Sequence, residues 1–244
     1  MNRVLNYDKY KLQRSKFWWI CILVAIAMNS LGLYIMIKFS SGYGISNLQF
    51  EQYRTIANPV ALVYLMIPCI FVGNDFKTGT IKNIASKGIK REEIVLSKLI
   101  WNFALAILFM VCSVIVGLIV LILFSKTSIK SKDFIELMKL TGIAIIALCA
   151  FASITTLISF IVKSSGAAIA ISIVLSLVSE ILINLAEVLF KFKNLSKFSP
   201  NFIANIISSG SSSKTTTTFI ISMFVWIIVC SILSIYIFKK QDIK

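Results

Sequence analysis

The chain alternates long apolar runs with short basic segments, and about 20 apolar residues is the length that crosses ~30 Å of hydrocarbon as a helix. Five runs meet that length: residues 17–37, 99–124, 140–162, 167–185 and 219–238. A sixth, 56–72, is shorter and holds Pro59 and Pro68, so run length alone also allows a buried or re-entrant piece. Charge decides for a span. Arg3, Lys9, Lys11, Arg14 and Lys16 against the lone Asp8 hold the N-terminal segment in the cytoplasm, and six spans bring Lys239, Lys240 and Lys244 to the same side. Five spans would put that tail outside and the Lys-rich 126–139 loop inside. The expected fold is an all-α membrane protein, one transmembrane domain over 1–244, with six transmembrane helices and both termini cytoplasmic. The first apolar run exceeds the ~7–15 residues of a signal-peptide core and precedes no A-x-A-like cleavage site, so it is read as a span. Trp18 and Trp19, and Trp101 on the third span, sit where interfacial anchors belong, whereas Trp226 lies mid-span and suits packing.

The segments between the spans carry their own patterns. Residues 1–16 mix Val4, Leu5, Tyr7, Tyr10 and Leu12 with cations, which fits an interfacial helix or a flexible basic tail. In GNDFKTGTIKNIASKGIKREEIVLSK, Asn74 or Asp75 can cap a helix over 75–87. Phe76, Thr80, Ile81 and Ile84 fall on one side of it, and Lys87-Gly88 stops it. A short capped helix with an apolar stripe fits a partner's groove or a membrane surface. A second helix starts near Lys90 with Glu92 and Glu93 in its first turn and runs into the third span.

The turn 163–166 makes spans four and five antiparallel neighbours. Ser153, Thr155, Thr156 and Ser159 on one, with Gly166, Ala167, Ala168 and Ala170 on the other, suit close packing, and the hydroxyls also suit a polar conduit. Glu180 lies about 20 Å up span five, either a functional carboxylate on a substrate path or an acid near the outer interface. Ser199 as N-cap and Pro200 as N1 open a short helix within 194–208, amphipathic or re-entrant, with Phe202, Ile203, Ile206 and Ile207 on one flank. The Ser/Thr run to Thr218 reads as a flexible connection.

Composition narrows the chemistry. Apolar residues are 58% of the chain and charged ones 14%, with mean hydropathy +0.89. In that setting the net charge of +15 belongs to membrane orientation and anionic headgroups, not to nucleic acid. With no histidine, a His-based triad and an H-E-x-x-H zinc site are excluded, and a membrane protease, suggested only by the pair Glu92-Glu93, is nearly eliminated. Each of the five cysteines lies in an apolar run without C-x-x-C spacing, so no metal site is expected. No G-x-x-x-x-G-K-[ST] occurs, so any ATP is hydrolysed by a partner.

Four stretches in order, LNYDKYKLQRSKFWWI, NDFKTGTIKNIASKGIKREEIVLSKLI, FSPNFIANI and IFKKQDIK, resemble the membrane-spanning subunits of ABC-2 type transporters. In size the chain is most similar to small bacterial permeases of peptide-antibiotic immunity and peptide export. The resemblance implies a multi-pass permease of the bacterial plasma membrane, with no enzymatic activity and no cofactor of its own. It would pair with a second permease, identical or homologous, and with two ABC ATPase subunits that hold ATP and Mg. It would export amphipathic peptides or lipophilic antimicrobial compounds. Residues 1–16 would form the elbow helix. The 75–87 stretch, with Asp75, Gly79, Thr80, Ile81, Ile84 and Lys87, would couple to the ATPase, while Glu180, Ser153 and Thr156 would border the substrate path. The alternative is an immunity protein that sequesters a toxic peptide without transport, which predicts protection in the absence of an ATPase.

Overall fold

Backbone groups in hydrocarbon must find their hydrogen bonds within the protein, which a helix does inside one segment. The computed structural model describes residues 2–43, 55–58, 61–124, 131–190, 195–209 and 213–241. Met1, positions 59–60 of the second span, 125–130 of the third loop, residue 194, positions 210–212 and Lys244 lie outside the described residues. The helices are α1 Asn2–Arg14, α2 Phe17–Tyr43, α3 Ala61–Lys77, α4 Thr80–Ser86, α5 Arg91–Phe124, α6 Ser131–Val162, α7 Ser165–Phe190, α8 Ile203–Ser209 and α9 Ser213–Lys240. Two 3₁₀ turns, Leu195–Phe198 and Pro200–Phe202, precede α8.

Among the described residues, six helices are long and apolar enough to cross a membrane: Phe17–Lys38, Thr55–Lys77, Arg91–Phe124, Phe134–Val162, Ser165–Leu189 and Ser213–Lys240. The second run is therefore a span despite its prolines. Pro68 is buried inside α3, and a proline is tolerated within a membrane-spanning helix that packs against others. Helix α5 has 34 residues, about 51 Å by helix rise, so its first turns reach beyond ~30 Å of hydrocarbon.

Helix α6 is at the centre, packing along α9, α3, α5 and α7, and α2 lies on α5. Polar side chains tie the inner helices. Tyr64 Oη donates to the Asn102 carbonyl (2.8 Å), Asn102 Nδ2 donates to Thr156 Oγ1 (2.8 Å), and Asn29 Nδ2 donates to Ser113 Oγ (2.6 Å). The outer side of α7 shows Val174, Leu177, Val178, Ile181 and Leu182, the surface expected of a helix solvated by lipid.

Two expectations change. The run to Thr218 is helical from Ser213, because Thr217 and Thr218 bond back to the carbonyls of Ser213 and Lys214 and extend the apolar helix that follows. The closest approach of α7 is to α3 rather than to α6. A Cβ on Gly73 would lie 2.5 Å from Ser165 Cα, whereas Ala167 and Ala170 face outward. Gly73→Val should therefore force α3 from α7 and cost at least the ~1–3 kcal/mol of an overpacked core. Gly142, whose added Cβ would meet nothing within 4 Å, is the control. Thermal unfolding in detergent should drop for Gly73→Val and hold for Gly142→Ala.

Candidate functional site at the basic end of the bundle

The first three turns of α5, the last two turns of α3 and the whole of α1 converge at the end of the bundle that carries Lys239 and Lys240. Asp75, fully buried, accepts from Lys11 Nζ (2.5 Å) and from Lys98 Nζ. Lys98, also fully buried, donates to Asp8 Oδ1 (2.5 Å), and Ser97 Oγ donates to Asp8 Oδ2 (2.6 Å). The Phe71 ring lies 4.3 Å from Lys98 Nζ and 5.2 Å from Lys11 Nζ, and the Phe71 carbonyl accepts from Lys11 (3.2 Å). Two carboxylates and two ammonium groups make the cluster neutral, the condition under which buried charges persist. Burial pulls the Lys11 ammonium below its ordinary pKa, with Asp75 opposing the shift.

Two indoles fasten α1 further: Trp18 Nε1 donates to the Leu12 carbonyl (2.7 Å) and Trp101 Nε1 to that of Leu5 (3.1 Å). Arg91 Nη1 gathers the carbonyls of Phe238, Lys239 and Gln241, closing the C-terminal end of α9, and Lys239 pairs with Glu92.

Helix α4 hangs below this base. It is shorter than the expected 75–87 and begins at Thr80, because Asn74 and Asp75 continue α3 instead of capping a new helix. The corner is made by Gly79 at φ +67°, a left-handed conformation that costs any other L-residue about 1 kcal/mol or more. Gly88, at φ +76°, follows the far end. Thr78 and Thr80 hydroxyls share a hydrogen bond (2.8 Å) across the corner. Ile81 is buried in the chain's own core, and Ile84 and Phe76 pack against it, so the apolar stripe is turned into the bundle. Lys77, Lys82, Asn83, Ser86 and Lys87 are exposed on the open side. Phe76 meets Phe160 edge-on (5.8 Å) and Phe238 (6.5 Å), and those two rings are 5.0 Å apart. One aromatic cluster thus links the ends of α3, α6 and α9.

The family model described as ABC-2 family transporter protein matches residues 5–179. The chain belongs to this family. The match begins in α1 and covers the ion cluster, α4 and most of α7, and it makes the protein a membrane-spanning transport subunit that works with an ABC ATPase. No curated protein matches the chain.

The other candidate residues of this ABC-2 protein lie apart. Ser153 donates to the Ala150 carbonyl and Thr156 to that of Ala152, both buried inside the protomer on α6. Glu180 is exposed on α7, beside a small pocket it shares with Asn184, Ser196 and Asn205. Asp8, Lys11 and Lys98 are the residues that sequence reasoning missed; the available signals were Lys98 directly before the third apolar run and the single acid Asp8 among the cations of residues 1–16. Removing one member strands a buried charge, so Asp75→Asn and Lys98→Met should each destabilise by about 3–5 kcal/mol. The double variant should lose clearly less than the sum of the two. Strict additivity in a denaturation series would show that the two groups do not interact.

Proposed function

We propose that the protein is one permease half of an ATP-driven exporter of the bacterial plasma membrane, completed by a second permease, identical or homologous, and by two ABC ATPase subunits. The basic end is cytoplasmic and α4 is the element the ATPase grips. The observation that carries this reading is how α4 is mounted: Ile81 roots it in the bundle, a left-handed glycine sets the corner at its start, and its open side is a cationic and amide surface. Lys82, Asn83 and Lys87 suit a groove with acidic walls, since charge complementarity sets register and steers encounter. Asp75, Gly79, Thr80, Ile81 and Ile84 then mount the contact, and the exposed cations make it.

Closure of the ATPase subunits on ATP pushes α4. The push enters α3 and α5 through their shared ion cluster, and α6 and α9 through Phe76, Phe160 and Phe238. Tilting these helices opens a path between the two permease halves. The cargo is an amphipathic peptide or a similar lipophilic compound, a class that the largely apolar helix surfaces suit. ATP and Mg stay on the partner.

Reversing the open face with Lys82→Glu and Lys87→Glu tests this. Both side chains are exposed, so stability should change by no more than about 0.5 kcal/mol, while the co-purifying ATPase and peptide-stimulated ATP turnover fall. Unchanged ATPase stoichiometry and turnover in that variant would overturn the assignment.

A further inference from the structure

A cavity of about 220 Å³ lies away from the basic end, between α6, α7 and the 195–201 turn. Its mouth is framed by Leu175, Phe198 and Trp226, all exposed on the outer surface of the bundle, while its floor is Leu65 and Ile158, which that surface hides. The cavity therefore opens sideways, on the apolar outer surface of the bundle.

Hydroxyl and amide groups line it, yet each is already engaged. Thr155 Oγ1 donates to the carbonyls of Phe151 and Ala152, and Ser179 Oγ to that of Ser176. Ser172 Oγ pairs with Cys69 Sγ (3.4 Å). Ser176 Oγ donates to Asn201 Oδ1 (3.2 Å), Asn201 Nδ2 returns a bond to the Ser176 carbonyl (2.8 Å), and Asn201 N donates to Ser199 Oγ (3.3 Å). Trp226 Nε1 donates to the Phe198 carbonyl (2.9 Å), fastening the turn over the opening. What remains for an occupant is hydrocarbon. Water held there would find only spare hydroxyl lone pairs on walls that are otherwise apolar, and an unfilled apolar void of this size forfeits dispersion contacts along its walls.

On α7 the lining runs from Ser172 to Ile183, about 16 Å by helix rise, which matches one leaflet of a ~30 Å hydrocarbon core. Residues 172 to 183 of α7 and 151 to 158 of α6 line it, so its walls run lengthwise along two helices. We propose that this cavity is a binding site for a single acyl chain of a bilayer phospholipid, drawn sideways from the leaflet away from the basic end. The site rests on the protein's place in a membrane and not on any reading of its transport cargo.

The test uses the full chain reconstituted in phosphatidylethanolamine and phosphatidylglycerol vesicles, with no peptide or drug present, a fraction of the lipid carrying a diazirine midway along one chain. After illumination, mass spectrometry maps the adducts. Lipid confined to the outer surface labels exposed positions such as Val174 and Val178 and spares the floor, whereas a chain inside the cavity also labels Leu65 and Ile158, which are 2% and 8% exposed. The expected result is labelling at Leu65 and Ile158 that falls in Ser172→Leu, a variant that adds bulk to the cavity wall, while labelling at Val174 and Val178 persists. Adducts at Val174 and Val178 with none at Leu65 or Ile158 in the wild-type protein would overturn the proposal, and so would floor labelling that is undiminished in a Ser172→Leu protein of unchanged thermal stability.

Discussion

Four charges brought together from three helices organise the basic end of this protein. Asp8 and Lys11 come from α1, Asp75 from α3 and Lys98 from α5, and none of these helices could bury its charge alone. An isolated ion in such surroundings costs several kcal/mol even after relaxation, on the order of the stability of a whole domain. Together the four groups cancel, and the Phe71 ring and the Ser97 hydroxyl supply further contacts. The cost of separating them is what makes α1, α3 and α5 move as one block.

The placement of α4 follows from that block. Its two tethers are the last turn of α3, two residues beyond Asp75, and the start of α5, which leads to Lys98. A force on α4 therefore meets a rigid base instead of a hinge. The neighbouring devices extend the base outward: Trp18 and Trp101 hold α1, Arg91 holds the end of α9, and Phe76, Phe160 and Phe238 join the ends of α3, α6 and α9. In the proposed transport cycle, a base of this kind is what would turn a local displacement at one end into a concerted tilt of spans. The opposite half of the bundle is built differently, with a laterally open cavity and a turn latched by single hydrogen bonds.

The six spans were legible because hydropathy over a long window reports the same solvent that selects the helix. The second span needed charge asymmetry as well, since Pro59 and Pro68 weaken its local signal. Ser199 and Pro200 also declared themselves: the Ser199 hydroxyl accepts from Asn201 N and Pro200 opens the 3₁₀ turn. The start of α4 was misread because Asn74 and Asp75 have the chemistry of caps, and what keeps them in α3 lies elsewhere in the chain, with Lys98 23 residues and Lys11 64 residues from Asp75. Periodicity likewise put Phe76, Thr80, Ile81 and Ile84 on one side of a helix without saying which way that side faces. The side is turned inward because a large apolar core is waiting there, and only the tertiary arrangement contains that information. Asp8, the lone acid in the first sixteen residues, was the most direct unused hint.

Spin labels report whether the base moves as one body. With the five native cysteines replaced, labels at Gln13→Cys on α1 and Ser86→Cys on α4, both exposed, give a distance distribution by pulsed electron resonance in the assembled transporter. A single narrow distance that stays the same with and without ATP, and broadens when Asp75→Asn is added, is the predicted result. A wild-type distribution that is broad, or that shifts when ATP binds, would contradict the account.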